Sequence, residues 1–266
     1  MRFFMVIVGF MVVAEAGAWS NHAALAWPQL RETPQLRQLQ VPAEPLSSFV
    51  EAQAADIVEA LEQSEQWAQM HLPAYASTPA ALQPSVSALQ QDPKATFLAA
   101  IRVNPELAYP LFVQLLSPAD QPSMDTLGWA DLSFLEVGTS HADVRYRLLE
   151  AGQLVSAAEV FASASDEPDH GMDIGLFSDN NTSFGQRYAF GAQPFGNPNL
   201  SYGSQAPFHM GFFHLDWLTR KAQPGLLATY PLWRIDVYRR LAEVAFRTNH
   251  PYWGWRFMGW AMHYIG

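Results

Sequence analysis

No cysteine occurs in the 266 residues. Disulfides and thiolate ligands are both excluded, so stability must come from an apolar core or from metal ions, and any metal site must use nitrogen and oxygen donors. Charge is scarce too. Asp, Glu, Lys and Arg make up 15% of the chain, and 25 acidic residues outnumber 15 Lys and Arg for a formal net charge of −10. That balance excludes a broad basic face for nucleic acid, which needs clustered cations to neutralise phosphates. It does not exclude a phosphate-bearing substrate, because bound metal ions supply positive charge locally. The chain also lacks a Gly-x-Ser-x-Gly elbow, a Walker-type phosphate loop and a His-Glu-x-x-His pair. After Ala18 no apolar run approaches the ~20 residues that a spanning helix needs.

What is present suits a globular protein with an export signal. Hydrophobic residues reach 49%, enough to bury a sizeable core in one large domain or two small ones. Arg2 followed by the apolar run Phe3 to Val13 and by Ala16-Gly17-Ala18 fits a signal peptide over residues 1–18. Cleavage before Trp19 would deliver the protein outside the cytoplasm, to a periplasmic or secreted location.

The expected fold class is mostly α, a multi-helix domain with one long irregular loop. Leu46 to Met70 reads as a single helix, with Ser48 and Glu51 as a capping box and Val50, Ala54, Ile57, Val58 and Leu61 at helical spacing. His71-Leu72-Pro73 closes it. Shorter helices are expected at about 95–103, 107–116 and 141–151. Residues 165–208 are dense in Gly, Asn, Pro and aromatics without a sustained period, the mark of a functional loop. Pro231 opens a helix carrying Leu232, Ile235, Tyr238, Leu241, Val244 and Ala245, with Arg234, Arg239 and Arg240 on a face beside Asp236 and Glu243. The last segment is "YWGWRFMGWAMHYIG". No internal repeat and no sharp domain boundary is visible.

If that last segment is helical, His263 shares a face with Arg256, Gly259, Trp260 and Gly266. A helical glycine costs about 1 kcal/mol against alanine, so two beside one imidazole want a reason. They either leave space beside a ligand histidine or allow close helix packing around a core histidine. At the other end, Trp19 and His22 follow the expected cleavage point directly.

"RFMGWAMHYIG" resembles the central helix of the zinc-dependent phospholipase C and fungal single-strand-specific nuclease superfamily. In that family a His-x-x-x-Asp pair places two metal ligands one turn apart, and His263 would be the first of the pair. The aspartate would fall one residue past Gly266, so residues 19–266 are expected to be an incomplete domain. The resemblance also implies that the freed α-amino group and carbonyl of Trp19, with His22, bind zinc. Asp166 in "SASDEPDHGMD" and His209 in "APFHMGFFH" match the family's further ligands, with His214 in reserve for His209. Asp169 and His170 are a rival pair in the same loop. Taken singly, Asp166 could equally be a turn or cap residue and His209 a surface residue. His71, His141 and His250 read as solvated or packing residues.

The implied complete protein is an exported phosphodiester hydrolase with up to three zinc ions, in which a metal-bound hydroxide attacks phosphorus, and these 266 residues alone are expected to be an inactive fragment of it. Asp166 would be both a ligand and the group that orients or deprotonates the water. Phospholipid is preferred to nucleic acid as the substrate because the chain is acidic, with Trp253 or Tyr202 available to a headgroup and transient contact with a membrane surface. A single-strand nuclease-like enzyme is one alternative. Another is a non-catalytic envelope protein that binds through an exposed patch of Trp253, Trp255, Phe257 and Trp260. Residues 30–160 lie outside the resemblance and are expected to be a helical insertion or extension.

Overall fold

The computed structural model describes residues 21–116, 126–135 and 141–265. The expected signal segment, Trp19 and Gly266 lie outside the described residues. Within them the chain forms thirteen α-helices and five short strands, so the fold is mostly helical.

Asn21 caps α1 (His22–Arg31) by accepting the Ala24 N–H at 2.8 Å. The short α2 (Pro34–Gln38) leads into β1 (Gln40–Pro42). The expected long helix from Leu46 is divided into α3 (Leu46–Ala52) and α4 (Ala54–His71). Gln53 leaves helical geometry at φ −115°, and its side-chain amide lies 3.0 Å from His250 Nε2. A contact 197 residues away thus overrides a local periodicity. Ser48 and Glu51 fall inside α3, which starts after Pro45 without a side-chain cap, so the capping box does not form.

The helix expected at 95–103 is α6 (Pro93–Ala100), preceded by α5 (Val86–Gln91). The two helices expected at 107–116 and 141–151 are strands. β2 (Phe112–Gln114) and β3 (Thr126–Gly128) pair antiparallel with the two edges of β4 (Arg145–Leu148). Tyr109 takes a left-handed φ of 52° just before Pro110, which ends any helix there. In β4 the buried Tyr146 alternates with the half-buried Arg145 and Arg147, a period of two. β5 (Leu154–Ser156) pairs antiparallel with β1.

Ser156 and Glu159 form a true capping box for α7 (Ala157–Asp166). The long segment after it is largely irregular, with single turns at α8 (Gly185–Tyr188), α9 (Ser201–Ser204) and α10 (Ala206–His209). α11 (Trp217–Ala222) follows, then α12 (Pro231–Arg247) and α13 (Pro251–His263). Asn249 at φ 63° and Pro251 at the first turn of α13 make the tight reversal between the last two.

α13 is the spine. It packs on α7 along one side and on α12 along another, while α1 lies on α7 and α4 lies on α12. Trp253, Phe257 and Trp260 are fully buried and Trp255 is half-buried against Phe246 and Phe161. The expected exposed aromatic patch is therefore an interior, because each such side chain gains about 1.5–3 kcal/mol by leaving water. One apolar core runs from Val41 to Tyr264, so residues 30–160 share it with the C-terminal helices.

Gly259 marks the crossing of α13 over α7. A Cβ there would lie 2.5 Å from Ala164 Cβ and 2.6 Å from the Phe161 carbonyl oxygen. Close packing is the reason for this glycine. Gly259→Ala should destabilise the protein by about 1–3 kcal/mol through overpacking, although alanine is the better helix former. An unchanged or raised urea midpoint would refute the crossing as described.

Candidate metal centre

Four helix ends deliver the site. His22 opens α1, Asp166 closes α7, His209 closes α10 and His263 closes α13. Asp169 comes from the 3-10 turn Glu167–His170 that continues α7, and Gly171 at φ 110° then reverses the chain towards Asp173. Asn104 ties that reversal down, donating from Nδ2 to the Gly171 carbonyl at 3.2 Å and from its backbone N–H to Met172 O at 2.8 Å.

The loop "DEPDHGMD" carries four acids, and their partners sort them into two kinds. Glu167 is gripped by both ends of the buried Arg256 guanidinium and by Trp260 Nε1 at 2.5 Å. Asp173 receives Arg234 at 2.5 Å on Oδ1, and Tyr264 OH at 2.5 Å with His209 Nε2 at 3.2 Å on Oδ2. Burial by itself would raise the Asp173 carboxyl, but the Arg234 charge and these donors outweigh it and hold it at about 2. Asp166 and Asp169 have no such counter-ion among the described residues. Asp166 Oδ1 accepts the His22 backbone N–H at 3.0 Å, while its buried Oδ2 has no partner among the described residues. Burial and the Asp169 charge push Asp166 up to about 8.

Asp169 instead sits among imidazoles. His22 Nε2 lies 3.7 Å from Asp169 Oδ2, and His263 Nε2 and His209 Nδ1 lie 3.7 and 3.6 Å from Oδ1. His22, Asp169 and His263 each offer a ligand atom, all within 4.8 Å of one another, so this group could hold a metal ion. His209 adjoins it, with Nδ1 3.4 Å from His263 Nε2.

Hydrogen bonds behind the rings decide what faces inward. His263 Nδ1 lies 2.9 Å from the Ser165 carbonyl oxygen, which can only accept, so Nδ1 carries the proton. Burial, reinforced by His209 and His22, holds this ring well below its ordinary pKa, leaving it neutral with a lone pair on Nε2. Asp173 is ionised and accepts, so His209 carries its proton on Nε2 and turns Nδ1 inward. Two imidazole lone pairs and a carboxylate oxygen then converge without a donor among the described residues. One positive charge closes the gap: a proton on His209 Nδ1, or a metal ion. Carbonyl- and carboxylate-backed histidines are the usual outer support of metal ligands. Burial also lowers His22, favouring its neutral, ligating form.

The structure thus brings together His22, His263 and His209 from the expected set and places Asp166 beside them, hydrogen-bonded to His22. Trp19 lies outside the described residues. Of the rival pair, Asp169 joins the group. His170 points the other way, into the small sheet, at 3.0 Å from Tyr146 OH and edge-on to Trp129. His214 is exposed and away from the group. His250 bonds Glu44 at 2.8 Å, His141 stacks on Trp129, and His71 is exposed. Arg239 and Arg240 pair with Asp236, and Arg239 also with Glu243, but Arg234 is buried on Asp173 instead. The Asp173–Arg234 pair leaves no local pattern in the sequence because the two residues are 61 apart. No protein-family profile, curated protein or solved structure matches this chain.

Asp173→Asn would leave the Arg234 guanidinium buried without its counter-ion, at a cost of about 3–5 kcal/mol at pH 7. The native Asp173 pKa lies below its ordinary 3.8, so this stability is present above that value and is lost as pH falls towards 2. Urea titrations should show the gap between wild type and variant narrowing over that window; a constant gap would refute the pairing.

Proposed function

We propose that this protein is an exported, zinc-dependent phosphodiester hydrolase of the phospholipase C and single-strand nuclease type, acting on phospholipid in preference to nucleic acid. The observation that carries the reading is the sorting of the acidic loop. Two of its four carboxylates have buried arginines, and the other two are left beside three inward-facing imidazoles with no cation among the described residues. An N/O donor set of two histidines and an aspartate suits zinc and leaves a further position open. The likeness of "RFMGWAMHYIG" to the family's ligand helix supports the same assignment.

In this reading His22, Asp169 and His263 hold the ion. His209 stands next to them and Asp166 behind. Zinc at this position would neutralise phosphate charge and lower the pKa of water from 15.7 to about 7. The chain's own groups do the rest. Ser165 O and Asp173 fix the rings of His263 and His209 in the tautomers that present lone pairs. Asp166, raised to about 8, holds a proton on its partnerless Oδ2 near neutral pH, and a cation nearby would release it. Metal uptake is then coupled to proton release. Further zinc ions of the expected set would draw on Trp19.

Hydrolysis of bis(p-nitrophenyl) phosphate should disappear in EDTA and return with zinc; unchanged turnover in the chelator would sink the mechanism. Asp169→Asn and His263→Ala should each weaken zinc binding by roughly 100-fold or more, beyond the 10–100-fold typical of outer-shell changes. Equilibrium dialysis measures this without requiring turnover.

A further inference from the structure

Large apolar side chains stand exposed in one short stretch of chain just after His209. Met210 follows His209 directly and is 47% exposed; Phe213 is 50%, Trp217 74% and Leu218 60% exposed. Phe213 and Arg220 also line an apolar cleft of about 280 Å³ whose walls include Leu72, Phe212, Leu226, Leu227 and Leu232. Single exposed apolar residues are ordinary, but four within nine positions make a patch that wants an explanation.

The patch is built, not frayed. Arg220 donates to the Phe213 and Leu215 carbonyl oxygens, both at 2.9 Å, and clamps the loop onto α11. Asp216 caps that helix through the Leu218 and Thr219 N–H groups and the Thr219 hydroxyl. Trp217 and Leu218, at the start of α11, are thereby held outward.

Charge identifies the occupant. From Tyr188 to Trp233 the only acidic residue is Asp216, in a chain with 25 acids, and the only cations are Arg220 and Lys221. Both cations belong to the helix that carries Trp217 and Leu218. Exposed Trp and Leu beside Arg and Lys, with acid withdrawn, match the interfacial layer of a lipid bilayer with anionic headgroups. There the indole sits at headgroup depth and the cations meet lipid phosphates.

We propose that residues 210–221 are an interfacial docking segment that seats the protein on an anionic phospholipid surface, with the metal centre at its rim. This rests on the phospholipid reading for its purpose, but docking itself needs neither zinc nor turnover.

The test is co-sedimentation of the protein, in EDTA, with vesicles of phosphatidylcholine alone or mixed equally with phosphatidylglycerol. The protein should bind the mixed vesicles more tightly. Trp217→Ser combined with Leu218→Ser should weaken that binding by about tenfold or more, given the transfer free energies of such side chains. Lys221→Glu should remove most of the preference for the anionic vesicles. All three positions are exposed, so the variants should keep the wild-type urea midpoint and the wild-type rate on bis(p-nitrophenyl) phosphate. Failure of wild type to bind either vesicle, or binding untouched by the double variant, would overturn the proposal. So would a dimer in size-exclusion chromatography that the double variant dissolves, if vesicle binding is absent, because the patch would then be covered by a second copy. Loss of the zinc reading alone would leave the vesicle result unchanged.

Discussion

Two buried arginine–carboxylate pairs hold this structure in its working arrangement. Arg256 on α13 takes Glu167, and Arg234 on α12 takes Asp173. An unpaired charge in such surroundings would cost several kcal/mol, so the loop between the two carboxylates can adopt only paths that keep both pairs made. Those paths pin the segment after α7 to both C-terminal helices at once. Asp169 sits between the two anchors, and its direction towards His22 and His263 follows from them.

The same pairs explain why the remaining charge is negative. The two arginines are consumed by Glu167 and Asp173, so among the described residues Asp169, the ionised member of the remaining pair, has no arginine or lysine of its own. Helix polarity adds to this. α7 and α13 both end at the site, and the carbonyl end of a helix carries partial negative charge that favours a cation. One of those carbonyls, Ser165 O, is the group that fixes the His263 tautomer. Electrostatics and hydrogen bonding therefore ask for the same thing, a single positive charge among His22, Asp169, His263 and His209.

How much of this could be read from the sequence depended on whether the signal was local. α12 is legible because Pro231 opens a long segment with apolar residues at helical spacing, whereas the last segment could be taken as helical only as a supposition that α13 now bears out. β2 and β4 were misread as helices because each strand is only three or four residues long. Their stability comes from pairing across more than thirty residues, which no local period records. At the site, His22, His263 and His209 stood out as histidines in suggestive contexts. The choice between Asp166 and Asp169 could not be made from spacing. It depended on which carboxylates the arginines of distant helices would claim: Asp173 carries no local mark, and Arg234 looks like a surface partner of Asp236 and Glu243 until the fold brings it to Asp173. Gly259 was legible as an anomaly, but only the approach of Ala164 and Phe161 shows it to be a packing glycine and not a gap beside the imidazole.

A net charge of −10 would repel any phosphodiester if it were spread evenly. It is not. The stretch from Tyr188 to Trp233 that supplies His209 contains one acid, and that acid is spent capping α11. At physiological ionic strength charges are screened over about 8 Å, so a phosphate is repelled least where the surface it meets is poor in acid. The loop Asp166–Asp173 is the opposite case, with four acids in eight residues, two of them already matched by Arg234 and Arg256. In the proposed hydrolase, an acidic protein would admit an anionic substrate past an acid-poor stretch to a site whose charge the bound ion would reverse.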